Sequence, residues 1–281
     1  MKLKLKQFSE GLKKLRRPEE KQSTEFQRRH ILGKHSGFYT REAYKTLRTN
    51  ISFSLPMDGC RKVCVTSAIA SEGKSITALN LAISFSEAGQ HVLLIDGDLR
   101  RPNLARLLEE KATPGMSNVL ANMATIEKAV RKAIRPNLDV IFSGDIPPNP
   151  SELLGSPKMQ TVLEQLSEQY DYIFIDTPPV NVVTDASVVS RMLDGVLFVV
   201  RQRQSEKGSV LYAVSQLEFA EAKLLGFIFN GTHMDSSIRY GYGKYKKYKK
   251  YKHYGYRYGY GGYGYASDGQ PKAEEISERE T

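Results

Sequence analysis

The chain has 281 residues, 40% of them hydrophobic and 26% charged, with a formal net charge of +10. That length supports one generous α/β domain with a core able to bury itself, and it excludes a peptide-sized module. Mean hydropathy is −0.42, no stretch reaches the roughly 20 apolar residues of a membrane-spanning helix, and two cysteines, Cys60 and Cys64, exclude a disulfide scaffold or a four-cysteine zinc site.

The basicity is concentrated at the ends. Residues 1–35 carry eleven Lys and Arg against four Glu, and residues 239–266 carry eight basic residues and no acid. Residues 267–281 contribute −3, so residues 36–238 stand at −2. A nearly neutral body with charged ends is the pattern of a folded domain bearing interaction arms. The chain therefore divides into a basic N-terminal arm (1–35), a domain (36–238), a Tyr/Lys/Gly-rich tail (239–266) and an acidic end (267–281). The arm begins MKLKLKQFSEGLKKLRR and lacks the uninterrupted apolar run of a secretory signal, which points to the cytoplasm. Leu5, Phe8, Leu12 and Leu15 recur at helical spacing with Lys on the other faces. That pattern suits an anionic membrane surface or a membrane-anchored partner, and a partly ordered basic tail fits the same residues.

Through the body, short apolar runs at residues 61–68, 91–98, 137–144, 171–179, 194–201 and 223–230 alternate with amphipathic stretches. The runs are rich in Val, Ile and Phe without polar alternation, which predicts strands buried on both faces of a parallel sheet. Residues 75–89 and 156–170 show helical spacing, and Gly89 is placed to cap the first. The alternation predicts a doubly wound, mostly parallel α/β sheet flanked by helices, with ligands at the carboxyl ends of the strands.

The first run leads into AIASEGKS, residues 68–75, a phosphate-loop pattern in which Ala68 replaces the first glycine. Gly73 lets backbone N–H groups close around phosphates, Lys74 reaches the β and γ oxygens, and Ser75 offers a hydroxyl to Mg²⁺ at a helix N-terminus. Asp176 follows YIFI, where a magnesium-organising carboxylate is expected on a strand beside such a loop. Asp96 and Asp98 end the run HVLLI and would repel each other unless a cation sat beside them. Each feature has a plainer reading, a tight strand-to-helix turn or solvated turn carboxylates, but together they point to a nucleoside triphosphate. Cys64, inside an apolar run, reads as a buried inert thiol, and the five histidines show no metal-like spacing.

After Ser237 the chain changes character. Eleven of the sixteen tyrosines, Tyr240, Tyr242, Tyr245, Tyr248, Tyr251, Tyr254, Tyr256, Tyr258, Tyr260, Tyr263 and Tyr265, alternate with Lys and Gly. Such a segment has no apolar face to bury and is expected to be disordered. Taken alone, its aromatic and basic residues also suit nucleic acid, by stacking and phosphate neutralisation.

The motifs AIASEGKS, LLIDGDLRRP and FIDTPP, in that order, resemble those of the bacterial tyrosine kinases, whose modified phosphate-loop NTPase fold is related to the MinD and ParA ATPases. EAYKTLRTNI at 42–51, PPNPSELLGS at 147–156 and the C-terminal tyrosines extend the likeness over about residues 36–265. It is nearest the stand-alone kinases of capsular and exopolysaccharide biosynthesis, the CpsD and CapB type. The resemblance implies ATP and Mg²⁺, with nucleotide contacts from Ser71, Glu72, Gly73, Lys74, Ser75, Ile76 and Asn230, the last at the adenine. It makes Lys74, Asp96, Asp98 and Asp176 the catalytic set, Asp96 taking the tyrosine proton and Ser75, Asp98 and Asp176 holding the metal. Glu42, Lys45 and Arg48 fall on a motif that packs subunits into a ring such as an octamer, although Lys45 stands where the family has arginine, and lysine does not reproduce a bidentate contact.

The tail tyrosines become the phosphoacceptors in this reading, modified in trans, and nucleic-acid binding recedes. The implied partners are further copies of the chain, a separate transmembrane activator of the polysaccharide co-polymerase type, other tyrosine substrates and a phosphotyrosine phosphatase. The activator would hold the protein peripherally at the inner face of the cell membrane. The alternative is a MinD-like or ParA-like ATPase switch without protein phosphorylation. Those ATPases place a signature lysine five residues before the phosphate-loop lysine, where this chain has Ile69.

Overall fold

β-Branched and aromatic side chains pack well on a pleated surface, and the apolar runs rich in them assemble into one sheet in the computed structural model, which describes residues 24–232. The amphipathic arm before residue 24, the tail tyrosines and the acidic end lie outside the described residues. In chain order the elements are α1 (Phe38–Ser54), β1 (Arg61–Ser67), α2 (Lys74–Ser86), β2 (Val92–Asp96), α3 (Leu104–Leu108), α4 (Met116–Leu120), α5 (Ile126–Ala129), β3 (Val130–Arg135), β4 (Leu138–Ile141), α6 (Pro150–Leu154), α7 (Pro157–Ser167), β5 (Tyr172–Asp176), α8 (Asp185–Ser190), β6 (Gly195–Arg201), α9 (Lys207–Phe219) and β7 (Leu224–Asn230). The seven strands run in the order β3-β4-β2-β5-β1-β6-β7. All neighbours are parallel except β3 and β4, so the expected doubly wound, mostly parallel sheet is present.

Because side chains alternate across a strand, the sheet feeds two cores. Cys64, Leu93, Ile95, Ile173, Ile175, Val196 and Phe198 point to one face. Val63, Val65, Val92, Leu94, Phe174 and Val199 point to the other, where α2 and α1 pack. Helix α2 is buried from Ser75 to Ser86 apart from Ile76. Gly89, at φ +89°, accepts the left-handed turn that ends it, with its N–H donating to the Ser86 carbonyl. Cys64 is fully buried and its thiol pKa is pushed up to about 12, chiefly by burial, in keeping with an inert sulfur.

Two strands depart from expectation. β7 was expected to be buried on both faces, but Phe227 and Phe229 are 47% and 66% exposed. The strand is the sheet edge, with no strand beyond it among the described residues. β3 has no apolar run to announce it and reads VRKAIR, as an antiparallel edge strand with a solvated face can. Charge alone groups residues 24–35 with the basic arm, yet they pack on the domain. Leu32 is buried, its N–H donates to Asn80 Oδ1 of α2 at 2.7 Å, and Asn80 Nδ2 donates to the His30 carbonyl at 2.9 Å. Among the described residues no helix is long and apolar enough to cross a membrane.

Candidate active site

Between β1 and α2 the backbone turns back on itself through two left-handed residues, Ser71 at φ +67° and Gly73 at φ +94°. Glycine adopts that conformation without strain, and a Cβ at residue 73 would come within 2.1 Å of Asn230 Nδ2. The loop's shape is held from outside. Arg201 Nη1 donates to the Ser71 carbonyl at 2.9 Å, Gln204 Nε2 to the Ala70 carbonyl at 3.2 Å, and Asn230 Nδ2 to the Glu72 carbonyl at 2.9 Å. The Glu72 carboxylate turns inward, fully buried, and accepts the Ile69 N–H at 2.9 Å and the Ser205 hydroxyl. α2 then begins at Lys74, so the N–H groups of its first turn face the loop's concavity and favour an anion there.

The acids come from the neighbouring strand ends. Asp96 of β2 and Asp176 of β5 are partners in the parallel register, which sets two carboxylates side by side, both fully buried. Lys74 Nζ lies 3.1 Å from Asp98 Oδ2 and 3.7 Å from Asp176 Oδ1. Asp98 Oδ1 also accepts the Arg101 N–H at 2.9 Å, and Asp96 Oδ2 accepts the Leu104 N–H at 3.1 Å. Asp96 Oδ1 and both Asp176 oxygens have no hydrogen-bond partner.

Burial is the first cause that pushes the Asp96 and Asp176 pKa values above the carboxylate range. The Asp176 charge adds to the rise at Asp96, and the Lys74 charge opposes it at Asp176. Burial pulls the Lys74 ammonium down, but the charges of Asp176 and Asp98 outweigh it and hold its pKa above the lysine value. Unpartnered buried carboxylate oxygens are costly, and oxygens of this kind beside a phosphate loop fit a magnesium nucleotide. Among the described residues no three His, Cys, Asp or Glu side chains form a metal cage.

The loop opens into a cavity of about 720 Å³. Of the residues expected to contact nucleotide, Ser71, Gly73, Lys74, Ser75, Ile76 and Asn230 line it, and the Glu72 side chain instead braces the loop. Asp98 lines it as well, while the fully buried Asp96 and Asp176 do not. The pairing motif on α1 is divided. Glu42 Oε1 and Lys45 Nζ are 2.8 Å apart on the surface, whereas Arg48 reaches inward and donates to the Ser84 carbonyl of α2.

Sequence reasoning did not single out a further network. Arg100 Nε and Nη2 grip Asp185 Oδ2 and Oδ1 at 2.9 and 3.0 Å, and the Ser151 hydroxyl donates to Asp185 Oδ1 at 2.6 Å. The fully buried Asp185 thereby ties the segment after Asp98 to α6 and α8. Its only early signals were the LRRP and PSELLGS motifs, which give no hint that they meet.

A family model described as an AAA domain matches residues 61–228. The chain is 40% identical over 201 residues to tyrosine-protein kinase YwqD of Bacillus subtilis, covering 72% of this chain and 85% of that one. The chain belongs to the bacterial tyrosine-kinase family. Solved kinase structures superpose on it accordingly. The kinase domain of Escherichia coli tyrosine kinase ETK matches with a TM-score of 0.67 at 31% identity, over 79% of this chain and 80% of that one. The chimerical protein CapA2B2 matches with a TM-score of 0.64 at 35% identity, over 67% and 83%. In this tyrosine-kinase frame, Ile69 packs against the core at the position where a partitioning ATPase would carry a lysine.

Proposed function

We propose that this chain is an ATP-dependent protein-tyrosine kinase that phosphorylates the Tyr240–Tyr265 cluster of a neighbouring copy and regulates capsular or exopolysaccharide synthesis. The observation that carries the reading is the meeting of a phosphate loop with Asp96, a buried carboxylate whose Oδ1 has no hydrogen-bond partner. A phenol has a pKa of about 10, so its attack on phosphorus needs a base. Asp96 Oδ1 receives the phenol proton as the O–P bond forms, and the γ-phosphoryl leaves ADP. Lys74 and the α2 N-terminus hold the transferred phosphoryl, and Asn230 and Ser71 border the nucleotide. Ser75, Asp98 and Asp176 would hold Mg²⁺, which when bound neutralises phosphate charge.

Each phosphotyrosine adds about −1.5 to −2 charge, so modifying all eleven would turn the +8 of residues 239–266 to roughly −9 to −14. That reversal would load an assembly with like charge, so unphosphorylated copies associate and phosphorylated ones separate. The other partners in this reading are a separate transmembrane activator, which would hold the kinase at the inner face of the membrane, and a phosphatase that resets the tail.

The test is the intact mass of the full chain after ATP and Mg²⁺, with and without a cytoplasmic fragment of the activator, beside Lys74→Met. Added phosphates mapping to Tyr240–Tyr265 and absent from Lys74→Met support the reading. Hydrolysis of ATP with no gain in mass, even with the fragment present, overturns it in favour of a switch ATPase.

A further inference from the structure

The nucleotide cavity has a wall that the phosphate chemistry does not use. Phe26, Gln27 and His30 line it, from a segment that precedes both the family-model match at 61–228 and the motifs of the kinase resemblance. The wall is built in. Arg28 pairs with Glu109 and donates to the Arg106 carbonyl, fastening the segment to α3, while Asn80 fastens it to α2 through the His30 carbonyl.

Its chemistry is aromatic. The Phe26 and His30 rings lie 4.7 Å apart at 57°, and Phe26 is 60% exposed. His30 Nδ1 lies 2.8 Å from the Phe26 carbonyl, which fixes the imidazole relative to the phenyl ring. Gln27 Oε1 is buried without a hydrogen-bond partner, an acceptor left without a donor.

The location decides between two uses for such a wall. Asn230, Gly231 and Arg201 border the cavity beside Gly73, the side to which the kinase resemblance assigns the nucleotide base. Segment 24–30 is fastened instead to α3, whose first residue, Leu104, donates its N–H to Asp96. It is thereby linked through α3 to Asp96, the base proposed to take the acceptor's proton. The chain itself holds eleven candidate acceptors between Tyr240 and Tyr265, each with a ring to be oriented.

We propose that Phe26 and His30 form the subsite that receives the aromatic ring of the acceptor tyrosine, presented by a second copy of the chain. The subsite rests on the kinase reading above and adds to it the residues that select a phenol ring over an aliphatic hydroxyl, since aromatic pairs contribute beyond their buried area. The segment is supplied in cis, so a subunit carries its own acceptor wall.

The experiment measures steady-state phosphorylation, by the full chain, of a capped peptide of residues 246–250, KKYKK, at saturating ATP and Mg²⁺, with KM for ATP measured alongside. Phe26→Ala raises the peptide KM about three- to tenfold, the range expected for a lost aromatic pair, and leaves the KM for ATP and the kcat at saturating peptide unchanged. Phe26→Tyr restores the peptide KM. An unchanged peptide KM overturns the subsite. So does a parallel rise in the KM for ATP, which would make Phe26 part of the nucleotide wall, or a fall in the peptide KM, which would make it a plug. A wild-type chain that phosphorylates neither the peptide nor its own tail, even with the cytoplasmic fragment of the activator present, sinks the kinase reading and the subsite together, whereas an active wild type with an unaffected Phe26→Ala sinks the subsite alone.

Discussion

The phosphate loop and the acid cluster lie within a few ångströms of each other and are built on opposite terms. The loop is satisfied: Ser71, Ala70 and Glu72 carbonyls each accept a side-chain donor from β6, β7 or the turn after β6, and the Glu72 carboxylate is filled by Ile69 and Ser205. The acids are not, since Asp96 and Asp176 are fully buried with three oxygens lacking hydrogen-bond partners. A loop already in its binding shape loses little entropy when phosphate arrives. A carboxylate pair whose charge is compensated only in part by Lys74 is most stable once a cation joins it. One side of the site is pre-organised, and the other holds back free energy until it is loaded.

That contrast can be broken one residue at a time. The largest effect is expected for Asp96→Asn, which keeps the shape and removes the base: transfer to tyrosine falls about 10²- to 10⁴-fold while a fluorescent ATP analogue still binds. Binding lost in parallel would place Asp96 in the nucleotide site instead. Gly73→Ala attacks the loop, forcing a side chain into φ +94° and against Asn230. A cost of about 1–3 kcal/mol should appear as a lower Tm and a weakened nucleotide affinity. Ser205→Ala leaves the buried Glu72 Oε1 without its donor, destabilising the fold by about 1–3 kcal/mol in a denaturant titration.

The acids supply a pH signature of opposite sign to ordinary salt-bridged carboxylates. Their folded pKa values are raised, so the contribution to stability is fully present below the unfolded value of about 4 and is lost as pH rises through the folded value. The nucleotide-free chain should melt at a lower temperature at pH 8 than at pH 5, and Asp96→Asn should flatten that slope. A Tm of the nucleotide-free wild type that rises over the same range would contradict the burial argument. The smallest effect is expected on the surface: Lys45→Ala removes the exposed pair with Glu42 and should change the monomer's stability by no more than about 0.5 kcal/mol, so a shift in the mass of the assembly by light scattering would report an interface.

Much of this was legible because it is local. The strand runs, the glycine cap at Gly89, the phosphate loop and the strand-end acids are each set within a dozen residues, and the apolar period carries the sheet. What was not legible depends on partners far along the chain. The inward turn of the Glu72 side chain depends on Ser205, 133 positions along, and Asp185 does not stand out until Arg100 arrives from 85 positions away. Residues 24–35 were grouped by their charge, although buried Leu32 and the Asn80 and Arg28 contacts anchor them to the domain. β7 misled because a hydrophobic run reads the same whether a strand sits inside a sheet or on its edge.

Helix α2 starts at Lys74 in the phosphate loop and is gripped further along by other parts of the chain. Asn80 holds the 24–35 segment and Tyr44, and the Ser84 carbonyl holds Arg48 of α1. A rod fixed at both ends carries displacement with little loss, because a packed helix shifts as a unit. A ligand at its N-terminus and a partner on the outer face of α1 would therefore act on one shared element, and linkage would make any coupling between them reciprocal.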